Sequence, residues 1–558
     1  MSSPASPRSF WKRYRLLLTV PALLLIALVS WAVSSPVSSS PDDDYHQTSI
    51  WCALGDRPGL CESASDSDMK LVPRSLVESR CYARDPNQDA GCILESMGSG
   101  GSTLVETARG NFGENAGSYP PVYYAAMAPF ASADMGNSVL LIRTVNALLF
   151  VLITSALYAL LPRGRRQTAV LTLAATLIPL GVFLIGSINP SAWAILSAAT
   201  LCFALIGYYE TTGARKAGLG ALAALSTLMG AGARSDSAIY CILAIVAVGI
   251  LHAKKERQFW LSSILPLVLI VFSAFIFLSS GQSDAIAGTQ TDRPGGISLL
   301  LNNLFEVPAL WAGVFGTNSP ISVWGLGWLD TPMPAVTWMS AIVVFGAVIF
   351  AGLKSTSGRK LLVVAGGFAV LVLMPLYMHQ VGRLPIGTDV QPRYILPLII
   401  IFTAFVLLRV TPGPLPVTRL QLTVGAVALA IANSAALFFN LRRYIFGANS
   451  PALNLNDGGS WWWGSPVPSP MTIWIVGSLT FAAALVLLAR WTGDREASGL
   501  LPNSSPSAAP PEAESAEVEE AGSAAPPEAG SAVVGEAGSP QPEGKHRLPD
   551  TSVAAVEP

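Results

Sequence analysis

The chain has 558 residues, 51% of them hydrophobic and 12% charged, with a formal net charge of −1. A soluble domain carries about twice that charge fraction, so the composition excludes an ordinary soluble enzyme and points to an integral membrane protein. Near-neutrality, with no basic patch interleaved with aromatics, argues against a nucleic-acid partner and leaves the lipid bilayer as the first surroundings to consider.

Apolar runs of about 18 residues or more recur along the chain, each enough to cross a hydrocarbon core of about 30 Å. The first, residues 14–34, follows a short N-terminus (1–13) containing Lys12 and Arg13. It is longer than the apolar region of a secretion signal, and Ser34-Ser35-Pro36 makes a poor cleavage site, so it reads as an uncleaved helix. Further spans are expected near 138–161, 167–187, 191–209, 217–233, 236–252, 259–279, 335–353, 361–379, 393–410, 420–440 and 471–490. That makes about twelve, an all-α polytopic membrane protein with its transmembrane domain over 138–490.

Arg163-Gly164-Arg165-Arg166, Arg215-Lys216, Lys254-Lys255, Arg359-Lys360 and Arg419 fall in alternate loops. The preference of Lys and Arg for the inner side places these loops and both termini in the cytoplasm, and residues 35–137 outside a plasma membrane.

Residues 35–137 are too long to be a structureless connection and are expected to fold as a small lid. They open with Ser40-Pro41-Asp42-Asp43-Asp44-Tyr45-His46, where one or two of the three carboxylates would face a cavity; the plainer reading is a helix boundary or an N-cap. Cys52, Cys61, Cys81 and Cys92 lie on the side where disulfides persist, and four cysteines allow three pairings. The near-neighbour pairing, Cys52 with Cys61 and Cys81 with Cys92, is the one expected, and disulfides are favoured over zinc because no CxxC occurs. Near the end of the segment, Tyr119-Pro120-Pro121-Val122-Tyr123-Tyr124 gives a rigid step into a short interfacial run.

Later outer loops cover 280–334, 380–392 and 441–470. The stretch 299–315, broken by Asn302, Asn303, Glu306 and Pro308, reads as a helix lying at the interface. Trp324, Trp328 and Trp461-Trp462-Trp463 suit the headgroup layer. Basic residues at outer helix ends work against the topological bias and call for another cause. These are Arg143, Arg234, Arg383, Arg393, Arg442 and Arg443, with His379 at the same level. Guanidiniums gathered there would clamp a phosphate, although each could instead bind a lipid headgroup on its own. Residues 491–558, rich in Pro, Ala, Glu and Ser, read as a disordered cytoplasmic tail.

The acidic run after the first helix, the YPPVYY step and the helix hairpins that follow resemble the membrane glycosyltransferases of the GT-C fold. Ser187-Ile188-Asn189-Pro190, the stretch from Gly325 to Pro334 with Trp328 and Asp330, and Gln391-Pro392-Arg393-Tyr394 to Pro397 resemble the DUF2142 family of bacterial predicted membrane proteins, over about residues 14–490. The resemblance implies a polyprenyl-phosphate-linked sugar as donor and a glycan or lipid acceptor on the outer face. It implies Asp43 or Asp44 as general base, supported by Asp42, Tyr45 and His46, with Arg393 on the donor phosphate. Arg234 and Arg443 would assist Arg393, with Tyr394, Gln391, His379, Asn189, Asp330 and Tyr123 as secondary contacts. A divalent cation at the acidic run is a further expectation. Two departures stand out: Ser191 replaces an acid expected after Asn189-Pro190, and Pro392 replaces a glycine. A transporter or flippase for a lipid-linked sugar, or a non-catalytic member of envelope assembly, are the competing readings. Scarce midplane charge ranks the transporter lower.

Overall fold

The structure, a computed structural model, describes residues 7–98, 103–281, 295–319, 322–388 and 390–498. The expected tail beyond residue 498 lies outside the described residues. The architecture is helical: α1 Pro7–Val33, α2 Asp43–Cys52, α3 Met135–Leu160, α4 Arg163–Thr176, α5 Pro179–Ile185, α6 Ser191–Glu210, α7 Gly213–Ala233 and α8 Ser235–His252. They are followed by α9 Ile264–Ser279, α10 Ile297–Gly313, α11 Ala335–Gly352, α12 Gly358–Val381, α13 Pro392–Leu407, α14 Arg419–Phe446 and α15 Pro470–Ser498.

Eight helices among the described residues are long and apolar enough to cross a membrane: α3, α6, α8, α9 with its lead-in from Arg257, α11, α12, α14 and α15. Counting α4 and α5 as one bent span makes nine, so the expected twelve are not all met. The differences have local causes. The expected span 167–187 is two helices meeting at 93°, because Pro179 cannot donate to the preceding turn. The α13 helix has 16 residues between Gln391 and Leu408, and the apolar part of α1 is Leu18–Val33.

Around the rim, helices present apolar side chains outward, among them Phe275, Phe350, Tyr377 and Leu479. Exposure of large apolar groups on so many helices is what a lipid-facing surface requires. The exception is α6, 94% buried over its apolar window and the centre of the bundle. Its small residues let neighbours approach closely: Thr200 Oγ1 lies 2.6 Å from Ser226 Oγ of α7, and a Cβ on Gly230 of α7 would fall 2.4 Å from Ser197 Oγ. The α7, α8 and α13 helices pack around it.

The segment after α1 departs from the all-α expectation. It holds a three-stranded antiparallel sheet of β1 Glu62–Ser63, β2 Lys70–Pro73 and β3 Leu104–Thr107, with Val72 opposite Val105. Disulfides join Cys52 to Cys61 and Cys81 to Cys92, the near-neighbour pairing. The first fastens the end of α2 to the sheet and the second closes the turn toward residue 90. The stretch expected as an interfacial helix is helical as α10 up to Gly313.

Candidate functional site

Position begins with how the chain leaves α1. Residues 34–40 are buried, and their polar groups are met one by one. From α3, Arg143 donates through Nη1 to the carbonyls of Ala32 and Ser35, at 3.0 and 2.6 Å, and through Nη2 to Pro36 O and Ser39 Oγ, at 2.7 and 3.1 Å. Asn440 of α14 donates to Ser34 and Ser35, and Trp328 Nε1 donates to Ser38 O at 2.8 Å. Asn189 Nδ2 donates to Ser40 Oγ and Pro41 O, at 3.1 and 3.0 Å. The segment after α1 therefore starts as a buried strap held by the bundle. Asn189 is a holder of that strap and Arg143 a cap for the end of α1, which accounts for one of the anomalous arginines without a ligand.

The strap delivers three acids to three environments. Asp42 has φ 61°, a left-handed conformation that Asp tolerates better than most residues, and α2 begins after it. Its carboxylate accepts from Arg393 Nη2 at 2.6 Å and Arg109 Nη2 at 3.3 Å, and its side chain is 31% exposed. Burial would raise its pKa, but Arg393, His46 and Arg109 together outweigh that and hold it down at about 2. Asp43 is fully buried; its Oδ2 accepts from Ser40 N at 3.0 Å and lies 3.9 Å from Arg143 Nη2. Burial dominates there and pushes its pKa up to about 7 against the pull of Arg143. Asp44 Oδ2 accepts from Arg80 and from Arg109 Nε, the latter at 3.1 Å, while its Oδ1 is buried without a partner.

Arg393 is the hub. Nη1 donates to Pro41 O at 2.9 Å and Nη2 to Asp42, while its guanidinium lies 5.0 Å from the Tyr394 ring centroid. Arg234 lies 4.7 Å from the same ring and 5.7 Å from that of Tyr119, and is clamped bidentately by Asp236 at 2.9 and 2.8 Å. His46, enclosed by Tyr45, Tyr119 and Tyr124, places Nδ1 2.9 Å from Tyr124 Oη. Burial first, then the nearby arginines, lowers its pKa to about 3, so the ring is neutral at pH 7. Tyr45 donates to Asn111 Oδ1 at 3.2 Å. A contiguous patch results, with the guanidiniums of Arg80, Arg109, Arg234 and Arg393 facing the carboxylates of Asp42, Asp44 and Asp236.

Several expected members lie elsewhere or have other duties. Arg443 is a correction: its Nη2 donates to Asp330 at 2.9 Å and to Tyr82 O and Asp85 O, and its Nη1 to Gln88 O, fastening the lid to α14. Asp330 is its partner rather than a ligand contact, reached by a turn with Gly327 at φ 62° and Leu329 at φ 66°. Asp43 is a second correction, since a carboxyl with no exposed surface and its own cation cannot meet an acceptor. His379 donates through Nδ1 to Pro375 O, 2.7 Å away, within its own helix. Tyr123 bonds Asn146 and packs edge-on against Trp193. Gln391 lines a small cleft with Arg393, Pro41, Trp324 and the α5 residues Leu180, Phe183 and Leu184. Among the described residues no three His, Cys, Asp or Glu side chains converge as metal ligands. The divalent cation expected at the acidic run therefore has no ready-made cage, because Asp43 is turned inward to Arg143 while Asp42 and Asp44 are occupied by guanidiniums, sharing Arg109 between them.

Arg80, Arg109, Asp236 and Tyr119 were not among the expected site residues. Arg234-Ser235-Asp236 at a helix start was a readable signal for one of them. Arg80 and Arg109 sit in the lid, where nothing in periodicity or spacing foretells that the sheet swings them over Asp44.

The profile of the family described as predicted membrane protein (DUF2142) matches residues 25–402 of the chain. No curated protein and no solved structure matches it. The match is narrower than the expected 14–490; it takes in the strap, the acidic run, Asn189, Arg234, Asp330 and Arg393, and leaves α14 and α15 outside.

Proposed function

The chain belongs to the DUF2142 family of predicted membrane proteins, and from that premise we propose that it is a GT-C-like glycosyltransferase, moving a sugar from a polyprenyl-phosphate carrier to a glycan or lipid acceptor on the outer face of the cell membrane. The observation that carries this reading is a set of buried donors with no partner beside an ionised carboxylate. Arg393 Nε, on the arginine that holds Asp42, Arg234 Nη1, on the arginine against the Tyr394 ring, and Trp324 Nε1, lining the cleft with Arg393, are donors of this kind. Buried donors left unmatched are costly, and a phosphate oxygen would satisfy them.

In the proposed reaction the acceptor hydroxyl gives its proton to Asp42. Its oxygen bonds to the anomeric carbon as the bond from that carbon to the phosphate oxygen breaks. The phosphate leaves with the electron pair, its charge met by Arg393 and Arg234. A donor phosphate drawing Arg393 toward itself would relieve Asp42 of its strongest cationic partner and make it a better base. Asp44, behind Arg80 and Arg109, is the second carboxylate of this reading. The α5 arm and its cleft are where the first prenyl units would lie.

The test is transfer from polyprenyl-phosphate sugars to extracted envelope glycans by the purified protein. Asp42→Asn and Arg393→Ala should each lower the rate about 100-fold or more while elution on gel filtration is unchanged. Undiminished transfer in both variants would falsify the site. Lipid scrambling without transfer would favour a flippase.

A further inference from the structure

A second polar assembly sits at the other end of the same helices. The α6 helix runs from Ser191, beside Asn189, to Glu210; α8 runs from Ser235, next to Asp236, to His252; α13 runs from Pro392, next to Arg393, to Leu407. The α7 helix runs the opposite way, from Gly213 to Ala233 beside Arg234. At about 1.5 Å per residue, the 20 residues of α6 set the two ends about 30 Å apart. At the far end lies a cavity of about 1040 Å³. Six basic side chains line it, Arg165, Lys216, Lys254, Arg359, Lys360 and Arg409, against the two carboxylates Glu210 and Glu256.

Some of those cations are committed. Arg165 pairs with Glu210 at 2.5 Å and donates to Arg409 O, and Lys360 donates to Gly352 O and Ser355 O at the end of α11. Lys216 donates to Ser262 Oγ at 2.6 Å. Lys254 and Arg359 are exposed, and among the described residues neither has an ion-pair partner. The backbone adds to the same field. Pro162 at the start of α4, Thr212 at the start of α7 and Ser357 at the start of α12 all line the cavity, and the first two helices lack a side-chain cap. First-turn N–H groups and the positive end of the helix dipole favour an anion. Three such ends converging with the free cations make a cavity that neither Glu210, already shared by Arg165 and His252, nor Glu256 neutralises.

We propose that this cavity binds a phosphate-bearing anion, either a lipid headgroup of the adjoining leaflet or a small soluble phosphate. The site is separate from the Arg393 patch and does not depend on the transfer reaction. The exposed cations at the rim, Lys254 and Arg359, would close on the phosphate, while the buried Arg165 and its partner Glu210 form the floor.

The test uses the full chain in phosphatidylcholine nanodiscs, titrated with inorganic pyrophosphate, and in parallel the chain in phosphatidylglycerol nanodiscs. A saturable rise in melting temperature with pyrophosphate supports a soluble phosphate. A rise in phosphatidylglycerol that removes the pyrophosphate response supports the headgroup. The double variant Lys254→Gln, Arg359→Gln should weaken the response about tenfold or more, and Arg393→Gln should leave it intact. No response to either probe, an unchanged response in the double variant, or its loss in Arg393→Gln alone would overturn the proposal.

Discussion

Asp42, Asp43 and Asp44 are chemically identical and adjacent, yet they occupy three different surroundings. Left-handed backbone at Asp42 turns one carboxylate to Arg393 and Arg109, where it stays charged. Enclosure of Asp43 leaves it with one backbone donor and a distant guanidinium, so burial prevails. The sign of the resulting pH dependence is fixed. A folded pKa raised from 3.8 to about 7 means that the folded state binds the extra proton between those values. The stability that Asp43 contributes is thus present below about pH 4 and is lost as pH rises through about 7. Asp43→Asn should remove this slope and stabilise the protein above pH 7 by roughly a few kcal/mol. Melting in detergent across pH 4 to 9 measures it; an unchanged slope would mean that Asp43 is ionised in the fold throughout.

At the scale of elements, the acidic run depends on how α1 ends. Arg143 supplies donors to the carbonyls of Ala32, Ser35 and Pro36, groups that an α-helix end and a tight strap leave unmatched. Replacing it also strands Asp43 without its cation. Arg143→Met should therefore cost roughly 3–5 kcal/mol, read as a drop in melting temperature. Combining it with Asp43→Asn should recover part of the loss, because the second change removes the buried acid. If the double variant is no more stable than Arg143→Met, the two side chains are not coupled. The lid is held in a comparable way from α14, where the Arg443–Asp330 pair and three lid carbonyls form one knot. The two disulfides close short loops inside the lid, so the docking of the lid on the bundle rests on non-covalent contacts, this knot and the Arg393–Asp42 pair among them, rather than on the covalent links.

For the whole molecule, the two polar assemblies lie at opposite ends of α6, α7, α8 and α13, with apolar flanks between. The proposed topology puts the lid outside and the cavity of Arg165 and Lys254 inside. Single cysteines at Glu114 and Lys255, both exposed, report on it, since the native Cys202 and Cys241 are buried and the other four are bridged. An impermeant maleimide applied to intact cells should label Glu114→Cys and spare Lys255→Cys until the membrane is opened. The reverse pattern would invert the orientation and with it the outer-face reaction.

Much of this was legible in the sequence, because hydropathy over a span and charge in a short loop are local properties. The helices after Met135 fall close to where apolar runs predict them, and the resemblance to the DUF2142 family and the pairing of the four lid cysteines are borne out. Local reading stopped where one residue overrides its neighbours. Pro179 splits a continuous apolar run into α4 and α5, and no count of apolar residues reveals a 93° bend. It stopped as well where partners are distant in the chain. Arg393 and Arg443 carry the same charge at the same level, but Arg393 meets Asp42 across 351 residues while Arg443 meets Asp330 across 113. The sequence by itself determined a membrane-embedded helical bundle with acids and arginines crowded at one rim, since burial of apolar surface in lipid leaves little else to choose. Which acid is accessible, which arginines keep donors to spare, and that a second electropositive cavity closes the opposite end were decided only by tertiary structure. A guanidinium's role is set by the carbonyls and carboxylates within about 3 Å of it, and those are supplied by the fold.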